Sequence, residues 1–397
     1  MSHSGAAKSS LGVELQMLLA AAGAAPPPGV LAEQCASIDW QSLLAMARFH
    51  GLEPLLLQLL EPLPEGLVAG DVLDALRTSS RTIAVKNLAL ASELLRVSLQ
   101  FQRRGIEHLA YKGPLLASAL YPGLAMRVSN DLDILVRKPQ VEAASAALLE
   151  LRYFDKSGFS AVQRSAAVRY GFEHTFRNPS GIDVDLHWRL VPAFVSPSLD
   201  EELFFRRAVA GNLCGQSVMT FCPEDLLFVL CLHAGQHEWA QLSMFSDLAR
   251  VFRLYPELRW EIIRPHLADA NTIRTILVSL CLLRQHWKIT LPGDIESAIH
   301  ADSQVREIAD TVLAKFWSCR HPLSSDASFA WMLQRTKHEP GMARLRYLAG
   351  IALNPTEADY AAFRLPRQLA VLYPLLRSVR LAFKRGRLAP RHNVQND

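Results

Sequence analysis

The sequence predicts an α+β protein, a small mixed sheet flanked by helical regions on its N-terminal and C-terminal sides. Three features carry that expectation. Apolar residues recur every three or four positions up to Gln102 and again from Pro223 onward, the period of an amphipathic helix. Between those stretches the texture shifts to short apolar runs separated by Gly and Pro. Two of these runs carry acids two residues apart, as one face of a strand allows. With 397 residues and 50% hydrophobic content, the chain has material for two or three packed units. The expected division is a disordered N-terminus at 1–10, a helical region at 11–102, the mixed core at 103–220, a helical domain at 221–385 and a flexible tail at 386–397.

In the N-terminal region Trp40, Leu43, Leu44 and Ala47 share a helical face. Leu55, Leu56, Leu59 and Leu60 repeat the pattern after the Gly51 break, and Pro62 and Pro64 end it. A long helix then runs over about 72–101 and stops at Gly105. Residues 106–111 look like a strand, Lys112-Gly113-Pro114 turns the chain, and 115–121 reads as a short helix with Pro114 in its first turn. A strand is expected at 131–136 and an Ala-rich helix at 141–152. Strands at 174–177 and 182–188 are joined by the turn Asn178-Pro179-Ser180-Gly181. Helices are expected at 224–239, 242–255, 271–286, 305–316, 341–353 and 365–383.

Composition narrows the setting. Charged residues make up 20% and the formal net charge is +4, a balance that gives no nucleic-acid footprint by itself. The cysteines Cys35, Cys214, Cys222, Cys231, Cys281 and Cys319 form no CxxC pair, which fits reduced thiols in a reducing compartment. The small apolar run at 15–25 lacks the basic leader of a secretion signal, and Glu14 interrupts its approach. No apolar run reaches the ~18 to 20 residues that span a bilayer. The expectation is a soluble cytoplasmic protein.

The sharpest chemical feature is Asp131-Leu132-Asp133-Ile134. On a strand, alternate residues point to one face ~6.5 to 7 Å apart, so both carboxylates project together while Leu132 and Ile134 point into the core. Adjacent carboxylates repel unless a cation or proton intervenes, and hard oxygen ligands suit Mg²⁺. The bland alternative is an exposed strand face that happens to carry two acids. Upstream, the strand–turn–helix around Lys112-Gly113 would make an anion site at the helix N-terminus. Gly113 allows close backbone approach, and Lys112 either adds a point charge or is a solvated surface lysine. Arg127 either clamps phosphate oxygens or pairs with one of the aspartates. Downstream, Asp183, Asp185 and His187 share one strand face and Ile182, Val184, Leu186 and Trp188 the other. A third carboxylate from a neighbouring strand would complete a clamp for two cations ~3.5 to 4 Å apart, the arrangement that supports in-line phosphoryl displacement. The alternative is an ordinary half-exposed strand.

These residues carry a resemblance. Lys112-Gly113, Leu120-Tyr121-Pro122, Arg127-x-Ser129-Asn130-Asp131-Leu132-Asp133-Ile134-Leu135-Val136 and Asp185-Leu186-His187-Trp188 resemble the uncharacterised nucleotidyltransferase family of the DNA polymerase beta superfamily. Segments outside the core resemble it too, from Asp39-Trp40 through Leu55, from Glu224-Asp225 through Arg250, and from Pro355-Thr356 through Arg377. The resemblance implies a polymerase-beta-like fold and transfer of a nucleoside monophosphate from a nucleoside triphosphate to an acceptor hydroxyl. It implies two Mg²⁺ ions, with Mn²⁺ as the alternate, held by Asp131, Asp133 and Asp185, with Asp183 in reserve for the third position. Asp185 would bind the cation that activates the acceptor oxygen and help receive its proton. Lys112, Gly113, Arg127 and Ser129 fall on the nucleotide side. The superfamily's usual Gly-Ser turn is replaced here by Lys112-Gly113-Pro114. The acceptor implied is a small molecule, saccharide or peptide in a bacterial pathway rather than nucleic acid. Two rivals stand beside this reading: a degenerate nucleotide- or partner-binding protein of the same fold, and a nucleic-acid-modifying or regulatory transferase.

Weaker signals remain. His233 and His237, four apart, share a helix face, but no HExxH order supports zinc, and packing or lining of the cleft is the better reading. His187 either orients Asp185, contacts substrate or is structural, and His174 lies on the neighbouring strand. Asp247 either orients a histidine or holds a packing contact. Arg377, Arg380, Arg385 and Arg387 read as a solvated helix face in preference to an anion-binding surface.

Overall fold

Asp39 starts the helix Trp40–His50, its carboxylate accepting from the backbone N–H of Gln41 at 3.1 Å and of Ser42 at 3.2 Å. Gly51 ends that helix at φ +66°, a left-handed position that favours glycine. The buried His50 then ties this region to the far end of the chain. Leu242 N–H donates to Nδ1 at 3.3 Å, and Nε2 lies 3.3 Å from the Phe316 carbonyl, so the ring proton belongs on Nε2. Burial lowers the His50 pKa to about 4. One apolar cluster accordingly joins Leu18, Leu43 and Leu56 to Leu248 and Leu280.

This computed structural model describes residues 12–24, 33, 35–269, 272–316, 341–363 and 365–388. The expected N-terminal disorder at 1–10, Cys319 and residues 389–397 of the expected tail lie outside them. The long helix is Gly70–Arg103, and Gly105 follows it at φ +66°. Its first half packs Val72 and Leu76 into the cluster just described. Its second half lays Leu90, Leu94, Val97 and Phe101 beneath a sheet, in a second cluster.

The sheet has five strands in the order β1-β2-β5-β4-β3. These are β1 (His108–Ala110), β2 (Leu132–Val136), β3 (Phe154–Asp155), β4 (Glu173–Arg177) and β5 (Asp183–His187). β2 and β5 run parallel, and every other pairing is antiparallel. Alternation sorts the faces. Leu132, Ile134 and Val136 of β2, with Val184 and Leu186 of β5, join the cluster against the long helix. Asp133, Asp185 and His187 therefore face the other way, toward the helices Pro223–Gln236 and Leu242–Leu254. The α+β class and the mixed sheet between helical stretches are as the sequence predicts.

Several elements were not anticipated. β3 is two residues long, too short to show a period. The helix Ala161–Tyr170 begins with a reciprocal Ser160–Gln163 capping box. A separate hairpin pairs β6 (Val209–Leu213) with β7 (Gln216–Thr220) through a turn with Cys214 and Gly215 at positive φ. The helix expected at 365–383 is instead the 3-10 segment Arg367–Leu372 followed by Tyr373–Leu388. Pro374 explains the break, since proline fits a first helical turn but not an interior. Arg377 is not on a solvated face. It is 8% exposed and pairs at 3.0 Å with the buried Asp359, which Arg380 also contacts. Among the described residues no helix is long and apolar enough to cross a membrane.

Gly235 marks the closest approach of Pro223–Gln236 to Ile273–Trp287, where an added Cβ would lie 2.1 Å from Thr275 Cγ2. Gly235→Ala is therefore expected to lower stability by ~1–3 kcal/mol in chemical denaturation, the usual cost of overpacking. Thr275→Ser, which removes that methyl, should recover part of the loss in the double variant. Wild-type stability in Gly235→Ala would refute this account of the helix crossing.

Candidate active site

The parallel register of β2 and β5 sets Asp133 directly opposite Asp185. Neighbouring strands lie ~4.8 Å apart, so the two side chains leave the sheet as close neighbours on one face. Asp131 sits in the bend just before β2, outside the strand expected to contain it. All three acids line a cavity of about 450 Å³ between this face and the two helices above it.

The Lys112-Gly113 turn closes one side. Gly113 opens the helix Gly113–Leu120 at φ +60°, and a Cβ on it would meet the Asp131 carbonyl oxygen at 2.9 Å. Both facts require glycine. The turn carries Lys112 over the acids, with Nζ 2.6 Å from Asp133 Oδ1. Lys112 also lies 3.3 Å from His233 Nδ1. Of the two alternatives for Lys112, a solvated surface residue is excluded.

Asp133 is 4% exposed. Burial alone would raise its carboxyl, but the Lys112 ammonium and the hydrogen bond from His187 hold it well below the usual carboxylate range. His187 approaches through Nε2 at 3.2 Å, and its Nδ1 lies 3.3 Å from Glu173 Oε2. Burial would lower the His187 pKa, but Asp133 and Glu173 raise it. His187 thus attends Asp133, not Asp185. Asp185 Oδ1 instead accepts from the Thr175 hydroxyl at 2.6 Å. Asp131 has no such support. Burial and the neighbouring Asp133 charge raise its pKa to about 6.

Other predicted residues fall into place around these. Asp183 is turned to Arg177 (2.6 and 2.7 Å) and Lys156 (3.2 Å) and does not line the cavity, which removes it as the reserve third acid. Arg127 lines the cavity but pairs with Asp247 rather than with Asp131 or Asp133, through contacts of 3.0 Å. Tyr121 donates to the same Asp247 at 2.7 Å, so Asp247 is the buried anchor of Arg127. Ser129, 3% exposed, accepts from Arg127 Nη1 at 3.3 Å. His233 and His237 contact each other edge-on and line the wall facing the acids. Burial and Lys112 push both pKa values down, His233 furthest. His174 is bound to Asp155 at 3.1 Å, away from the cavity.

Glu173 and Thr175 were missed. Their signal is the turn at 178–181. Pairing residue by residue outward from it opposes Arg177 to Asp183, Thr175 to Asp185 and Glu173 to His187.

Among the described residues, no three His, Cys, Asp or Glu side chains close around one point as a metal cage. The Lys112 ammonium occupies Asp133 Oδ1, and Thr175 engages Asp185. The donors still suit a hard divalent cation. They are carboxylate oxygens, and the buried Asp133 Oδ2 has no hydrogen-bond partner.

A family model described as an uncharacterised nucleotidyltransferase matches residues 36–288. No curated protein matches the chain. Among solved structures, the chain is similar to the crystal structure of an antigenic nucleotidyltransferase-like protein from Paracoccidioides brasiliensis. The identity is 17% and the TM-score 0.30, over 56% of this chain and 93% of that one.

Ionising Asp131 costs stability in the metal-free protein, because its pKa is raised from 3.8 to about 6. The acid is neutral in both folded and unfolded states below the unfolded value, so that cost appears only as pH rises toward and past about 6. Asp131→Asn removes it. The variant should be more stable than wild type at pH 8 by roughly 1–3 kcal/mol, at ~1.4 kcal/mol per pKa unit. The difference should shrink toward zero near pH 4. A difference that does not change with pH, in melts with chelator present, would disprove this origin.

Proposed function

This chain belongs to the uncharacterised nucleotidyltransferase family, and on that premise we propose that it transfers a nucleoside monophosphate from a nucleoside triphosphate to an acceptor hydroxyl. The observation that carries the proposal is the opposition of Asp133 to Asp185 on parallel strands, in the same cavity as Asp131 and the Lys112-Gly113 turn. Asp131, Asp133 and Asp185 would hold two Mg²⁺ ions, with Mn²⁺ as the alternate. These ions would neutralise the triphosphate and stabilise the attacking and leaving oxygens.

The chain's own residues supply the rest. Lys112, now against Asp133, would exchange that carboxylate for a phosphate oxygen. Arg127, fixed by an Asp247 that Tyr121 also holds, would meet the phosphates without first being ordered. Gly113 would let the backbone at the helix N-terminus approach them closely. The acceptor oxygen would bond to the α-phosphorus as the bond to pyrophosphate breaks, and its proton would pass to the Asp185 carboxylate. His187, backed by Glu173, would keep Asp133 ionised and oriented. A saccharide, small metabolite or peptide hydroxyl remains the acceptor class. A cytoplasmic setting fits the cysteines, since Cys214, Cys222, Cys231 and Cys281 are free thiols among the described residues.

Isothermal titration of ATP, GTP, CTP and UTP with Mg²⁺ should detect binding of at least one nucleotide to the wild-type protein. Asp131→Asn/Asp133→Asn should weaken that binding at least ~10-fold, the loss of charge-assisted ligation. Asp185→Asn should keep most of the affinity and slow turnover by roughly 10²–10⁴-fold, the range for a lost general base. If folded wild-type protein binds none of the four, the degenerate-fold reading takes the place of the enzyme.

A further inference from the structure

The cavity carries a charge opposite to that of the chain. The protein is formally +4, yet two cations, Lys112 and Arg127, share the cavity lining with five carboxylates, those of Asp131, Asp133, Glu173, Asp185 and Asp247. Even with His187 counted as a cation between Asp133 and Glu173, that lining is formally −2. Both cations are already engaged, Lys112 by Asp133 at 2.6 Å and Arg127 by Asp247 at 3.0 Å. His233 and His237 add no positive charge, because burial and Lys112 hold them neutral. Asp133 Oδ2, in a side chain 3% exposed, has no hydrogen-bond partner. A triphosphate carrying two divalent cations is close to neutral itself, so loading the donor leaves the excess of carboxylates in place.

That excess extends to the rim. Glu173 begins β4 with its side chain 40% exposed and one oxygen, Oε2, 3.3 Å from His187 Nδ1, and it follows Phe172 in the chain, which also lines the cavity. A carboxylate beside an aromatic ring is suited to an ammonium group, through an ion pair and the negative face of the ring. Among the described residues, no lining cation is left unengaged to receive a phosphate or carboxylate on the acceptor.

Resting on the nucleotidyltransferase reading, we propose that the acceptor is a cationic hydroxyl compound of the amino-sugar type, its ammonium group held at Glu173 beside Phe172 and its hydroxyl directed at Asp185. In the transfer, the hydroxyl oxygen bonds to the α-phosphorus and pyrophosphate leaves with the electron pair of the broken P–O bond. The proton goes to Asp185, and the amine stays protonated and unreacted. Phosphate-bearing acceptors, nucleic acid included, are disfavoured by the same field.

Glucosamine, glucose and glucuronate offer one sugar frame as a cation, a neutral molecule and an anion. Each is titrated into wild-type protein loaded with Mg²⁺ and the nucleotide that binds it best, following thermal stabilisation and pyrophosphate release. Glucosamine should outperform glucose at least ~10-fold, as for a charge-assisted contact, and glucuronate should be the poorest. The advantage should shrink with added salt. Glu173→Gln should abolish the glucosamine preference, and Glu173→Asp should restore part of it. Equal responses to all three sugars, no response to glucosamine, or a preference for glucuronate overturns the proposal. Nucleotide binding without that preference would refute the acceptor class alone, whereas absent nucleotide binding would refute the underlying reading.

Discussion

Crowding of carboxylates on adjacent strands is the constraint around which the rest of this structure is arranged. Parallel pairing of β2 with β5 leaves Asp133 no choice but to face Asp185, and Asp131 arrives one bend earlier. In water such a group would ionise freely. Against a sheet face covered by helices it needs compensation, and the fold supplies it unevenly. Asp133 receives an ammonium and an imidazole, Asp185 a hydroxyl, and Asp131 stays partly uncompensated with its pKa near 6. The strain is concentrated where an incoming cation would relieve it, the expected trade between stability and function.

The second wall of the cavity depends on a tie between distant parts of the chain. Asp247 on Leu242–Leu254 fixes Arg127 and Tyr121 of the core, while the turn before that helix meets His50 and Phe49. Removing the Asp247 carboxylate alone would leave Arg127 buried without its counter-ion, an expensive state. The helices therefore form one wall of the cavity, and Asp247 holds Arg127 in its lining.

How far the sequence revealed this depended on range. Local signals were legible. The DxD on a strand, the sorting of Ile182, Val184, Leu186 and Trp188 to one face, the long helix stopped at Gly105 and the turn at 178–181 all follow from period and turn chemistry. Choices between partners of similar charge were not. Nothing local assigns Arg127 to Asp247 rather than Asp131, or His187 to Asp133 rather than Asp185, because those pairs are decided by strand order and helix docking across more than fifty residues. Asp183 and Asp185 are indistinguishable by alternation, and only the placement of Arg177 and Lys156 separates them. Arg377 looked like a surface arginine because its buried partner, Asp359, lies on another short helix.

The Lys112-Gly113 turn divides two demands between neighbouring residues. What fixes the glycine is geometry, since φ is +60° and the Asp131 carbonyl leaves no room for a Cβ. The residue before it is under no such limit and has only to point over the acids. A lysine brings a charge, and that charge rests on Asp133. The ammonium then serves as a resident counter-ion, which lets three carboxylates stay packed together in the empty cavity. Any ligand that drew the ammonium away from Asp133 would have to replace the positive charge it removes, because Asp133 is buried.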